Sequence, residues 1–437
     1  MIFEKPPISE GSMNESSFNG MAAFPRTAGF PAQAVKACLG FLGMAIWGAV
    51  LAIAGAADTP WITTWGCAPQ VTDAGNMPPV PLADSVLRQF VHTSVGGKTL
   101  RLRLSNAFGK EPVVVKAAHV ARAAAMGSAG NGDIDPATDR ALAFQGSHEV
   151  VIPPGAAVVS DPLAFDLPVS ADVGISLQFG QVSETALSGH SGSRTTSFIA
   201  PADAISAATL PTATKTQHWY ILSGIEVEGG KDRGSIVILG DSITDGRGST
   251  TDGNDRWTDT FAKRLSSHPP TAGLGVVNMG IGGNGIFGGL GPAAEKRFER
   301  DVTGQSGARY FILFEGVNDI GGARGPAVAD LAGRLIKAYT EFAKQARARG
   351  MKAYAATITP FGGHSYFSPE REACRQDVNK WLRENKVFDG VIDFDAVVRD
   401  PANPDKLLPA YSSDGLHPNP AGYQAMAAAV DLKQFSP

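Results

Sequence analysis

The stretch Leu100-Arg101-Leu102-Arg103-Leu104 alternates apolar and charged residues without a break, the period of a strand with one buried face. Segments 112–115, 148–152, 172–179 and 219–222 also read as strands. Between them lie turn-forming clusters such as Pro153-Pro154-Gly155, Asn131-Gly132-Asp133 and Ser188-Gly189-His190-Ser191-Gly192. Helical periods are scarce here. Many short strands separated by turns predict a β-sandwich of jelly-roll type over residues 57–230, a β-rich accessory domain. From residue 231 onward the pattern changes. Apolar runs at 236–239, 275–277, 310–314, 353–356 and 391–394 alternate with helix-like segments at 257–265, 293–302, 328–348, 370–385 and 421–432. Leu331, Leu335, Tyr339, Phe342 and Ala346 share one helical face. Strand–helix alternation predicts an α/β domain with a parallel sheet over 231–437.

The amino terminus follows another pattern. Residues 37–57 carry no charge, and their apolar core, 39–51, follows Lys36 and precedes Ala54-Gly55-Ala56. This is the layout of a secretory signal. Residues 1–56 therefore read as a signal peptide with a leader, cleaved before Ala57. The mature chain would be secreted or periplasmic, with no stable membrane insertion after cleavage. Met21 offers a shorter start with Arg26 and Lys36 as the basic region, and a retained anchor is the competing reading of the apolar run.

Composition narrows the function. The 437 residues carry a net charge of -4 and 18% charged residues, with no basic run of the kind a nucleic-acid groove needs. Of three cysteines, Cys38 falls in the expected signal, and Cys67 and Cys374 read as small buried thiols, with a disulfide between them in an oxidising compartment as the less favoured alternative. No CxxC or His/Cys cluster suggests a metal.

The chemistry lies at the strand ends of the second half. Gly240-Asp241-Ser242 follows the first apolar run, where open α/β sheets place their reactive groups. Asn278-Met279-Gly280-Ile281-Gly282-Gly283-Asn284 is a glycine-rich loop. Gly316-Val317-Asn318-Asp319 follows the third run, and Asp414-Gly415-Leu416-His417 precedes the final helix. A parallel sheet brings such loops to one edge. The three-residue spacing lets Asp414 reach Nδ1 of His417 and leaves Nε2 for Ser242. The backbone N–H groups of Ser242 and Gly283 and the Asn318 amide are candidate oxyanion donors. Asp241 and Asp245 flank the serine and read as loop hydrogen-bonding groups. The GxSxG elbow of α/β-hydrolases does not fit, because Thr244 stands two residues after Ser242.

These four blocks closely resemble the SGNH, or GDSL-type, hydrolase family, whose serine, glycine, asparagine and histidine correspond to Ser242, Gly283, Asn318 and His417. Ile243 stands where the family name has leucine. The resemblance covers about half the chain. It implies a flavodoxin-like α/β/α three-layer fold, and the β-rich half resembles the extra domain of larger bacterial members.

The expected activity is that of a serine esterase with catalytic Ser242, Asp414 and His417, an oxyanion hole of Ser242, Gly283 and Asn318, and no cofactor or metal. A small-molecule or glycan ester with a short acyl group is the expected substrate. A lipid-directed esterase is the main alternative, and a non-catalytic carbohydrate-binding protein is a third reading. In the first half, 105–109 and 190–196 are candidate cleft loops, although turn-shaping is the favoured role for Asn106, Gly109 and His190. His364 reads as a loop residue. Segment 249–257 reads as a cleft wall without a metal, because it lacks the acidic spacing of a calcium loop.

Overall fold

The computed structural model describes residues 60–436; the expected signal peptide and its cleavage site lie outside them. Five parallel strands form the sheet of the second half. In chain order they are Gly234–Gly240, Leu274–Gly280, Ala308–Phe314, Lys352–Ala356 and Gly390–Ile392, and in space they run 2-1-3-4-5. This is the flavodoxin-like order, with its switch point between the first and third strands. Gly234–Gly240 is buried along its whole length, as a central parallel strand between two helix layers must be. The helices include Trp257–Ser266, Leu331–Ala348, Pro369–Glu384 and Pro420–Ala429. Leu331, Leu335, Tyr339, Phe342 and Ala346 form the buried face of Leu331–Ala348, as their spacing predicted.

The first half is antiparallel. One sheet is built on Trp61–Gly66, Leu222–Glu228 and Gly97–Ser105. The other is centred on Ser85–His92, Asp172–Phe179 and Val113–Arg122. Leu100, Leu102 and Leu104 of one sheet and Leu87, Val91 and Ile175 of the other share one core, the packing of a β-sandwich. Several strands were not foreseen, among them Trp61–Gly66, Ser85–His92, Leu163–Leu167 and Ser197–Pro201, and Ser188–His190, expected as a turn, is a short strand. Segment 219–222, expected as one strand, is two. Trp219–Tyr220 and Leu222–Glu228 belong to different sheets, and Ile221 between them has φ of 62°. Phe394, expected in a strand, starts the helix Phe394–Val398, which Asp393 caps through the Ala396 amide.

Polar contacts stitch the two halves together. Thr63 N donates to Ser235 Oγ at 3.0 Å, and Val276 N donates to Ser94 Oγ at 3.0 Å. Ser306 Oγ donates at 2.9 Å to buried Glu226, which also pairs with Arg101 and Arg103. Cys67 and Cys374 are buried free thiols, and Cys67 Sγ donates to Leu222 O at 3.4 Å. No described helix is long and apolar enough to cross a membrane.

Candidate active site

Ser242 opens a one-turn helix, Ser242–Asp245, directly after the first strand. Asp241, in extended conformation, caps this turn by accepting from Ile243 N at 2.8 Å. The turn packs so closely on the second strand that a Cβ on Gly280 would lie 2.3 Å from Asp245 N, so glycine is required there. Ser242 is thereby fixed at the switch point, beside the end of the third strand.

Ser242 Oγ lies 2.9 Å from His417 Nε2, and His417 Nδ1 lies 2.7 Å from Asp414 Oδ2. The other Asp414 oxygen accepts from the amides of Leu416 at 2.9 Å and His417 at 2.8 Å. Partial burial opposes ionisation of Asp414, but the His417 amide, the imidazole and the Leu416 amide outweigh it and hold the carboxyl well below its usual range. A carboxylate at Nδ1 requires N–H there, so Nε2 is an acceptor aimed at the serine hydroxyl. Burial lowers the His417 pKa, Asp414 opposes that shift, and the charges of Arg247 and His364 add to it; the net direction is downward.

Gly283 has φ of 71°, the left-handed region that favours glycine, in the loop after the second strand. The amides of Ser242 and Gly283 donate to no acceptor among the described residues. Asn318 follows the third strand in the short helix Val317–Gly322. Its Nδ2 donates to Asn284 O at 2.7 Å, which leaves its second amide hydrogen for a ligand. Asp319 anchors the glycine loop from the other side by accepting from Ile286 N at 2.8 Å and Phe287 N at 3.1 Å. All five candidate residues thus meet at one edge. Ser242, Gly283, Asn318 and His417 line a cleft of about 480 Å³, with Asp414 bonded behind His417.

Tyr366, Asn76 and His218 at the cleft were not singled out in the sequence, whereas Ser191 and Arg194 lie in the candidate cleft loop 190–196, which does form part of the wall. Tyr366 OH donates to Asn318 Oδ1 at 2.9 Å and fixes which end of the amide faces the glycine loop. It lies in an irregular loop after the fourth strand, and that position is the one signal that could have found it. His364 also lines the cleft, and its Nδ1 accepts from Tyr366 N at 3.2 Å. From the β-rich half, Asn76, Ser191, Arg194 and His218 complete the wall.

His190 is more than a turn residue. Its Nδ1 meets Ala68 O at 2.9 Å and its Nε2 meets Asp245 Oδ1 at 2.8 Å. Two acceptors require two N–H groups, so the ring is an imidazolium. Burial opposes the Asp245 charge, but His190, Arg194 and Arg256 overcome it and keep the pKa below the ordinary value. Asn106, by contrast, shapes its turn by donating to Glu111 O and Ile152 O. Segment 249–257 clamps the two halves rather than walling the cleft. Asp252 accepts from Thr196 N at 2.7 Å and Thr196 Oγ1 at 2.8 Å, and Asn254 donates to Asp172 at 3.1 Å.

Behind the serine lies a buried acidic group. Burial lifts Asp241 to about 7 and Glu315 well above its ordinary value. Both Glu315 oxygens lack a hydrogen-bond partner, and the nearest cation is Arg297 at 3.8 Å.

A hydrogen-bonded serine–histidine–aspartate chain thus stands at the switch point of a doubly wound α/β sheet. Residues 238–425 match the GDSL-like Lipase/Acylhydrolase family, and this part of the chain is a member of it, a hydrolase domain that acts on esters. No curated protein matches the chain. Among solved structures, an acetylxylan esterase from Geobacillus stearothermophilus is 22% identical, covers 47% of this chain and 94% of its own, and has a TM-score of 0.36. A GDSL-like lipase from Bacteroides thetaiotaomicron is 20% identical, covers 47% of this chain and 89% of its own, and has a TM-score of 0.34.

Proposed function

We propose that this protein is an exported serine esterase that removes short O-acyl groups, with acylated carbohydrate as the favoured substrate. The observation that carries the reading is the hydrogen-bonded chain Asp414–His417–Ser242 beside two amides that have no acceptor. Ser242 Oγ attacks the acyl carbonyl while His417 Nε2 takes its proton. The imidazolium that forms is stabilised by the Asp414 carboxylate, which is already ionised. The carbonyl oxygen becomes an oxyanion and accepts from Ser242 N, Gly283 N and the free hydrogen of Asn318 Nδ2. Each such donor is worth roughly 3–4 kcal/mol of barrier. His417 then protonates the leaving alcohol. Water, activated by the same imidazole, releases the acid and restores Ser242.

The polar cleft supports a short acyl group, since Leu290 and Leu416 are its only aliphatic side chains. The wall supplied by the β-rich half supports an extended polar alcohol such as a sugar. Export rests on the charge and hydropathy layout of residues 1–56. Hydrolysis of aryl esters from acetyl to palmitoyl, by the wild type beside Ser242→Ala, tests the assignment. Short-chain activity that disappears in the variant is expected, and equal activity in both proteins would overturn it.

A further inference from the structure

The ionisable side chains around the cleft are strongly one-sided. Arg194, His218, Arg247, His364 and His417 line it, and Asp245 is the one carboxylate among them. Asp245 is 1% exposed, and His190 and Arg194 already bind it, so its charge is spent inside the wall. Asp414 is bonded to His417 and to two backbone amides. Arg247, by contrast, forms no ion pair and no side-chain hydrogen bond among the described residues, although its backbone N–H donates to Ser242 O at 2.9 Å. Arg194 gives one nitrogen to Asp245 at 3.1 Å, and its buried Nε has no partner.

The backbone of Arg194 adds a second line of argument. Its φ of 51° is uncommon for a side-chain-bearing residue, and Asp252 N holds its carbonyl at 2.9 Å. Strain of this kind persists where the surroundings over-determine it, often at ligand sites. The loop is thus anchored to the opposite half of the protein with a guanidinium at the cleft.

We infer that Arg194 and Arg247 form an anion subsite on the leaving-group side of Ser242, so that the preferred ester is one whose alcohol carries an acidic group, a carboxylate or a phosphate. This rests on the esterase reading above. The side is set by the chemistry, because the leaving oxygen must face His417 to receive its proton. Arg247 lies on that side, since the adjoining Gly248 packs against His417 and Pro418. A guanidinium fork suits either oxyanion. The imidazoles add N–H donors. His218 Nδ1 is committed to Ser191 O at 2.8 Å, whereas His364 Nδ1 faces Tyr366 N at 3.2 Å, which leaves Nε2 as its donor toward the cleft.

Three acetyl esters test this: 4-acetoxybenzoate, its neutral isostere 4-acetoxybenzamide, and 4-acetoxyphenyl phosphate. Each kcat/KM is divided by the ester's own alkaline hydrolysis rate. The acidic esters should exceed the amide by about tenfold or more at low salt, as charge-assisted bonds imply. The advantage should shrink with added salt. Arg247→Gln, at an exposed position, should cut the ratio at least about threefold, and Arg194→Gln should act in the same direction. The larger advantage, benzoate or phosphate, identifies the acidic group. An active enzyme with a ratio of one or less overturns the subsite. Ser242→Ala, titrated with 4-hydroxybenzoate and 4-hydroxybenzamide, separates the two readings. Tighter binding of the acid without turnover of any ester supports the subsite and overturns the esterase, and equal binding overturns the subsite whatever the turnover.

Discussion

Replacing His190 with alanine should destabilise the whole molecule, although the residue lies 52 positions from Ser242 in the chain. The change removes a buried cation from a carboxylate that is 1% exposed and strips the Ala68 carbonyl of its donor. Breaking one side of a buried ion pair costs about 3–5 kcal/mol. Arg194 remains at 3.1 Å and Arg256 nearby, so the low end applies. The ring also stacks on Trp219 at 5.8 Å between centroids, and losing that contact adds about 1 kcal/mol. The expected total is about 4 kcal/mol. With roughly 2 cal/mol/K of unfolding entropy per residue over roughly 380 described residues, the midpoint should fall by about 5 °C. Scanning calorimetry of wild type, His190→Ala, Asp245→Asn and the double variant measures this. The double variant should recover part of the loss, because an uncharged amide no longer needs a counter-ion.

The pH dependence has a definite sign. The folded pKa of Asp245 is depressed, so its stabilising contribution is present above the unfolded value, near 3.8, and is lost as pH falls through the folded value. The His190→Ala deficit should therefore be full at neutral pH and fade in strong acid. A deficit under about 0.5 kcal/mol, or a double variant no more stable than His190→Ala, would refute the imidazolium assignment.

Four further outcomes follow from the site. The kcat/KM of the wild type should fall on the acid side as His417 protonates, with the midpoint below 6.5 because burial lowers that pKa; a midpoint well above 6.5 would contradict the geometry. Asp414→Asn should lower kcat by about 10²–10⁴-fold and shift that acid limb lower still, since the group that raises the His417 pKa is gone. Tyr366→Phe should lower kcat about fivefold at unchanged KM in steady-state assays, the worth of one neutral hydrogen bond that orients the Asn318 amide. Glu315→Gln should leave stability unchanged near pH 4 and raise it at pH 8, read from urea midpoints. A buried acid with a raised folded pKa loses stability as pH climbs from the unfolded value toward the folded one.

The residues that were hardest to place in sequence are those whose conformation is decided across the molecule. The parallel strands were legible because burial on both faces leaves plain apolar runs. Ser85–His92 is just as buried, but Arg88 and Gln89 interrupt its pattern. Arg88 is 0% exposed, and its Nε, Nη1 and Nη2 each donate, to Ser176 Oγ and the carbonyls of Gly132 and Ile205; no local signal announces those partners. Ile221 hides a sheet boundary inside an apolar run for a similar reason. Around the serine, Asp414-Gly415-Leu416-His417 could be read because the spacing itself makes the contact. Tyr366 could not, since it reaches Asn318 from an irregular loop whose course no local pattern sets; segment 190–196 could be named as a cleft loop, but the contact of Arg194 with Asp245 could not.

The contact between His190 and Asp245 also bears on how the enzyme comes into being. The β-rich half is synthesised first, and its own buried charge, Glu226, finds Arg101 and Arg103 within that half. His190 and Arg194 have no such local partner, and their carboxylate arrives only with the turn that carries Ser242. The cleft therefore exists only after the two halves have docked, and the appearance of hydrolytic activity during refolding should lag the formation of both sheets. Hydrolytic activity would thus report assembly: a half-folded chain carries Ser242 but not the wall that lines the cleft beside it.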